Sequence, residues 1–161
     1  MPAFSIRPAT PADIPALIAL MHDFHAESGY RLDHARAGQS FAQLLGDARN
    51  GAAWLATGDE GRPLGHAVLT LRHSMEFGGP AGHVDDLYVA PGARRGGVGL
   101  ALLEALRDHA ARCGVLGLFV EVGADNAAAQ ALYRRSGFAP AAGDRVLLAR
   151  DLDGVTPGDC C

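Results

Sequence analysis

Lysine is absent from the 161 residues, and all fourteen basic side chains are arginine. Without lysine there is no P-loop ammonium for a nucleoside triphosphate, and no Schiff base with pyridoxal phosphate or a carbonyl substrate. Cysteine is scarce too. Cys113, Cys160 and Cys161 form neither a disulfide framework nor a metal-ligand spacing, so a reducing compartment fits and no metal is expected. No apolar run approaches the length that crosses a bilayer. Met1 to Arg7 lack the charged-then-apolar order of a secretory signal, so a cytoplasmic location without a membrane partner is expected. Positive charge is also in short supply. The formal net charge of −4 argues against nucleic-acid and anionic-membrane partners.

What is present suits one packed domain. Hydrophobic residues make up 48% of the chain, enough for a core without covalent staples. Residues 3–151 carry periodic pattern, whereas 152–161 read as a disordered tail.

Phe4 to Arg7 alternate like a short strand. Thr10-Pro11-Ala12-Asp13 then reads as a helix start, with Thr10 as N-cap and Pro11 at the first helical position. Ile14, Leu17, Ile18 and Met21 follow at helical spacing to about Glu27. A second helix is predicted from about Asp33 to Arg49. Strands follow at 53–57 and 64–71, joined by the turn Gly58 to Gly61. Arg72 to Ala81, rich in Gly and Pro, reads as a loop. A strand at 83–90 is followed by a helix over 97–112 and a strand over 116–122. Asn126 caps a helix over 127–136, with Gly137 as its stop. A strand pair at 138–141 and 146–151 is predicted to close the fold. The class is α+β, a mixed and mostly antiparallel sheet flanked by helices, containing one β-α-β unit.

That unit carries Arg94-Arg95-Gly96-Gly97-Val98-Gly99 between strand and helix. Glycines there permit positive φ and close backbone approach. Exposed amides at the positive end of a helix dipole form a site for phosphate or pyrophosphate.

In these residues the chain resembles the GNAT (Gcn5-related) N-acetyltransferase family. Arg94 to Gly99 is similar to its acetyl-CoA signature, and Asp86 to Pro91 to the strand and turn preceding it. Asp125 to Phe138, which includes Asn126 and Tyr133, resembles its second motif. Together these cover most of the chain. The resemblance implies the acyl-CoA N-acyltransferase fold, acetyl-CoA as co-substrate, a primary amine as acceptor and a homodimer. It places the pantetheine arm against the strand around Leu87, Tyr88 and Val89, bonded to the backbone of Leu87 and Val89. It places the pyrophosphate on the amides of Arg95 through Leu100, and gives Asn126 a bond to the pantetheine arm. Arg134 and Arg135 either reach the outer phosphates or are solvated.

Acetyl transfer needs a neutral amine, a donor for the carbonyl oxygen and a proton for the leaving thiolate. The resemblance puts Tyr133 near the sulfur as general acid and makes the Val89 amide the oxygen's donor. Two bases are offered. Asp85 lies where diamine acetyltransferases of the family carry an acidic residue near the acceptor. Glu121 lies where the ribosomal-protein N-terminal acetyltransferases carry theirs. Water chains are the third possibility. Adjacent strand residues face opposite sides, so Asp85 and Asp86 can share the acceptor only across a bulge. Phe24, Glu27, Tyr30, Asp85, Asp86 and the segment His73 to Phe77 form the candidate acceptor pocket, suited to a polyamine-like cation. His22 and His25 lie one helical turn apart without further ligands, and are not taken as a metal site. Two alternatives stand beside the small-molecule reading. They are protein N-terminal acetylation, and a non-catalytic acyl-CoA-binding module.

Overall fold

The computed structural model describes residues 3–141 and 147–150. The elements run β1 (Ser5–Pro8), α1 (Ile14–Glu27), α2 (His34–Gly46), β2 (Gly51–Thr57), β3 (Pro63–Ser74) and β4 (Gly79–Val89), followed by α3 (Val98–Arg112), β5 (Leu118–Val120) and α4 (Ala127–Arg135). Among the described residues they form one five-stranded sheet ordered β1-β2-β3-β4-β5. The first three pairings are antiparallel, and β4 with β5 is parallel.

Alternation along β2 explains the layers. Ala53 and Leu55 face one way and pack with Leu17, Leu20, Phe41, Val68 and Tyr88 under α1 and α2. Trp54 and Ala56 face the other way, into the core that Leu102, Leu103, Leu106 and Tyr133 build from α3 and α4.

The predicted start of the first helix resolves into a 3-10 turn, Pro11–Asp13, that feeds α1. The Asp13 carboxylate accepts from the Thr10 amide at 2.8 Å and from both Arg7 guanidinium nitrogens at 2.7 Å. The Arg7 bonds hold its pKa well below the usual carboxylate range.

Two expectations are corrected. Arg72 to Ala81 is mostly strand, because β3 continues to Ser74 and β4 begins at Gly79. Gly78, at φ 72°, turns the chain between the two strands, whereas Gly79 and Gly82 serve close packing. A Cβ at Gly79 would lie 2.8 Å from Leu116, and one at Gly82 2.7 Å from Leu69. The closing strand pair is the second correction, since residues 138–141 and 147–150 are not strand. The rest of that pair, and the tail 152–161, lie outside the described residues. No helix among those residues is long and apolar enough to cross a membrane.

Midway along β4 the register with β3 breaks. Val68 stands opposite Asp86 and Leu69 opposite Val84, leaving Asp85 as the extra residue of a β-bulge. Val84 and Leu87 both join the core under α3. Asp85 and Asp86 both line a cleft on the α2 side. The bulge therefore places two consecutive carboxylates on one face. At the same level β5 stops pairing, its last partners being Val84 and Val120.

Candidate active site

Three features meet where β4 and β5 part. The first is the turn into α3. Gly97 is its N-cap at φ 89°, in the left-handed region, and supplies no capping side chain. Arg95 also has positive φ, 63°. The first helical bond is from the Ala101 amide to the Gly97 carbonyl, and the amides of residues 95–100 donate to no protein group among the described residues. A run of free amides at a helix N-terminus fits an anion, and the pyrophosphate of coenzyme A is such a group. Gly99 has a different task. A Cβ there would lie 3.1 Å from Leu132 and 3.6 Å from Val89, so the glycine seats α3 against α4 and β4.

The second feature is the exposed edge of β4. The Ala90 amide donates to Leu64 across the β3 pairing. Antiparallel alternation then turns the peptide groups of Leu87 and Val89 away from β3, toward the side that β5 has vacated. An extended arm can bond there as an added strand would. Tyr88 points elsewhere. Its ring is buried against Phe24 at 5.6 Å, and its hydroxyl donates to Glu27 at 2.8 Å.

Arg94 and Glu27 are tied to each other. One Arg94 nitrogen donates to both Glu27 oxygens at 2.7 Å, and its Nε donates to the Val89 carbonyl at 2.8 Å. Arg94 lowers the Glu27 pKa, with the Tyr88 hydroxyl adding to the effect. Burial, with Glu27 beside it, pushes the Tyr88 phenol up to about 12. The network pins the end of α1 to the end of β4. Tyr30 stands apart, 71% exposed.

The third feature is a cluster of acids and histidines. Asp85 and Asp86 sit beside a cleft of about 80 Å³ lined by Met21, Ala37, Ser40, Phe41, Leu44, Val68 and Thr70. Nδ1 of His83 lies 3.4 Å from Asp85, and its Nε2 lies 3.6 Å from Glu121. Asp85 and Glu121 thus converge on one imidazole. Asp86 lies 3.6 Å from Nε2 of His66, which is fully buried and makes no hydrogen bond. Sequence reasoning missed both histidines and the α2 wall. Period-2 counting was the available signal for His83, because it shares a face with Asp85 on one strand. Phe77 packs on Phe119 at 5.4 Å, and the Arg72 guanidinium lies 4.6 Å from the same ring. These bring the end of the β3–β4 hairpin to the outer side of the cluster.

Tyr133 projects from α4 and is 9% exposed. Burial, with the Asp86 charge adding, pushes its phenol up to about 12, so it is protonated throughout the neutral range. Asn126 caps α4 by accepting from the Ala129 amide at 3.1 Å, which leaves its side-chain NH₂ for a ligand. Arg134 donates to Gln130 at 3.2 Å, and Arg135 is exposed. His22 pairs with His34 at 3.1 Å. No metal-binding group of His, Cys, Asp or Glu occurs among the described residues.

The sequence model of the acetyltransferase (GNAT) family matches residues 17–138. An aminoglycoside N(6')-acetyltransferase type 1 of Stenotrophomonas maltophilia is 32% identical over 137 residues, covering 83% of this chain and 85% of that protein. An integron cassette protein from the mobile metagenome of Cole Harbour Salt Marsh has a similar structure. Its TM-score is 0.81 at 37% identity, covering 91% of this chain and 90% of the other. An aminoglycoside N-acetyltransferase solved in complex with CoA has a TM-score of 0.78 at 20% identity, covering 94% of this chain and 96% of the other, a likeness of fold.

Proposed function

The chain belongs to the acetyltransferase (GNAT) family, and from that premise we propose that it acetylates a primary amine of a small, multiply charged cation. It is an N-acetyltransferase with acetyl-CoA as its co-substrate. The acceptor is polyamine-like in carrying several ammonium groups, and an aminoglycoside meets that description. One observation carries the reading. The β4 bulge turns Asp85 and Asp86 onto one face, and Glu121 and Asp85 converge on the same imidazole there. Three carboxylates in one acceptor region select for positive charge. The relative from Stenotrophomonas maltophilia, named for an aminoglycoside acceptor, supports the same class.

The residues divide the work as follows. The amides of Arg95 to Leu100 bind the pyrophosphate, with Gly96, Gly97 and Val98 keeping the backbone open to it. Leu87 and Val89 bond the pantetheine arm, joined by Asn126. The Val89 amide donates to the carbonyl oxygen as charge develops, and Tyr133 protonates the departing sulfur. Arg94 holds Glu27, which supports the wall of the acceptor site instead of gripping a phosphate. We infer a homodimer acting in the cytoplasm. Exposed Met75, Phe77 and Leu116 offer apolar surface for a second copy.

The test is thiol release from acetyl-CoA across a panel of kanamycin A, spermidine, methylamine and a short peptide with a free N-terminus. The expected result is a higher kcat/KM for the two polycations than for methylamine, by about tenfold or more, as several charge contacts would give. A peptide that outperforms both would replace this reading with protein N-terminal acetylation.

A further inference from the structure

The two carboxylates offered as bases converge on a third group. His83 is held between them on the acceptor face, its side chain 28% exposed and so within reach of a bound amine. Each imidazole nitrogen faces a carboxylate, Asp85 on one side and Glu121 on the other. A neutral imidazole has one N–H and one lone pair. One of its nitrogens therefore presents a lone pair to an anion. The arrangement is short of one proton, and an alkylammonium acceptor brings one.

The basicity of the group fits the task better than a carboxylate does. A carboxylate with an ordinary pKa of about 4 hardly holds a proton at neutral pH, whereas imidazole, at about 6.5, both accepts and releases one there. Charged groups face the ring from more than one element. From its own strand His83 faces Asp85, and from β5 it faces Glu121. From β3 comes Arg72, whose guanidinium lies over the Phe119 ring opposite His83 in register. The α2 residues that line the cleft are uncharged.

We propose that His83 is the general base of acetyl transfer, with Asp85 and Glu121 as the positioning residues that orient its ring. The proposal rests on the acetyl-transfer reading above, but not on which amine is the natural acceptor. One proton passes from R–NH₃⁺ to the imidazole nitrogen that carries the lone pair, and the released electron pair forms the C–N bond to the acetyl carbon. The C–S bond breaks with its pair on sulfur, and the Tyr133 phenol protonates that sulfur. A second nitrogen proton restores the phenol and leaves the amide. His83 then gives its proton to water. The products are the N-acetyl amine, the free thiol and one proton.

The test compares methylamine, an ammonium ion at neutral pH, with hydroxylamine, which is already neutral and needs no base. In His83→Gln, thiol release with methylamine should fall about a hundredfold or more, while hydroxylamine should lose no more than about threefold. Added imidazole should restore part of the methylamine rate, and the fall of wild-type kcat/KM on the acid side should flatten in the variant. Equal losses with both amines would assign His83 a structural role and overturn the proposal. So would an unchanged methylamine rate, or a wild-type protein that acetylates hydroxylamine but not methylamine. Failure of the acceptor class would show separately, as kanamycin A performing no better than methylamine.

Discussion

Tyr133 carries the clearest residue-scale prediction, because its environment and its proposed role agree. A buried phenol near Asp86 is harder to ionise than one in water, and the shift to about 12 is upward. A raised pKa keeps the proton on the oxygen below that value. The acid form is thus fully present from neutral pH to at least pH 10, the ordinary tyrosine value. We predict that wild-type kcat shows no alkaline fall attributable to this group between pH 7 and 10. Tyr133→Phe should lower kcat by about a hundredfold or more across that range, the usual size of a general-acid contribution. Isothermal titration should give an acetyl-CoA Kd within about threefold of wild type, because the lost hydroxyl acts on the leaving sulfur and not on ground-state binding. A variant that keeps its kcat would leave the ring a packing role against Phe138, with which it stacks edge-on at 5.6 Å.

At the scale of elements, the decisive feature is the bulge in β4. The sequence made most elements legible. Proline and threonine marked the first helix, Asn126 and Gly137 bracketed α4, and the glycine turn marked the start of α3. The bulge was hidden for a physical reason. Periodicity identifies a register through apolar residues, and the break falls in Asp85-Asp86, two polar residues that reveal no face. Arg72 to Ala81 reads as a loop in the sequence because Gly78, Gly79 and Pro80 resemble turn residues. In the fold only Gly78 turns the chain, while Gly79 makes room for Leu116 and the neighbouring Gly82 for Leu69 and Leu118. The acceptor cleft was legible only in part, because its α2 wall contributes ordinary core residues such as Phe41. Deleting Asp85 tests the bulge directly. Val84, Asp86, Leu87 and Tyr88 would keep their faces, so the sheet should survive, with the melting temperature lowered by about 8 °C at most, the equivalent of 1–2 kcal/mol. The uninterrupted strand would no longer part from β5, and acetyl-CoA affinity should fall about tenfold or more by titration. A deletion variant that binds acetyl-CoA as tightly as wild type would show that the opening between β4 and β5 does not depend on the bulge.

For the whole molecule, charge separates the two substrates in the proposed reading. The overall charge is −4, and Asp85, Asp86 and Glu121 concentrate negative charge on the acceptor side. In the proposed reading the anionic coenzyme meets backbone amides at a helix terminus, an attraction confined to about one helical turn and reinforced by direct hydrogen bonds. A polycationic acceptor gains instead from the summed field of carboxylates that remain partly hydrated, and salt screens such interactions. Raising the ionic strength from 0.05 to 0.5 M shortens the screening length severalfold. We predict that KM for kanamycin A rises by roughly three- to tenfold over that range, with kcat nearly unchanged, because screening acts on encounter and binding and not on the proton transfers. KM for methylamine, with a single charge, should rise much less. The comparison also separates the field from any one contact. Asp86→Asn should weaken kanamycin A binding at low salt and reduce the salt dependence, whereas a substitution confined to the coenzyme side should leave that dependence as it is. An acceptor KM that does not respond to salt would mean that shape rather than charge selects the amine, and the multiply charged acceptor class would have to be abandoned.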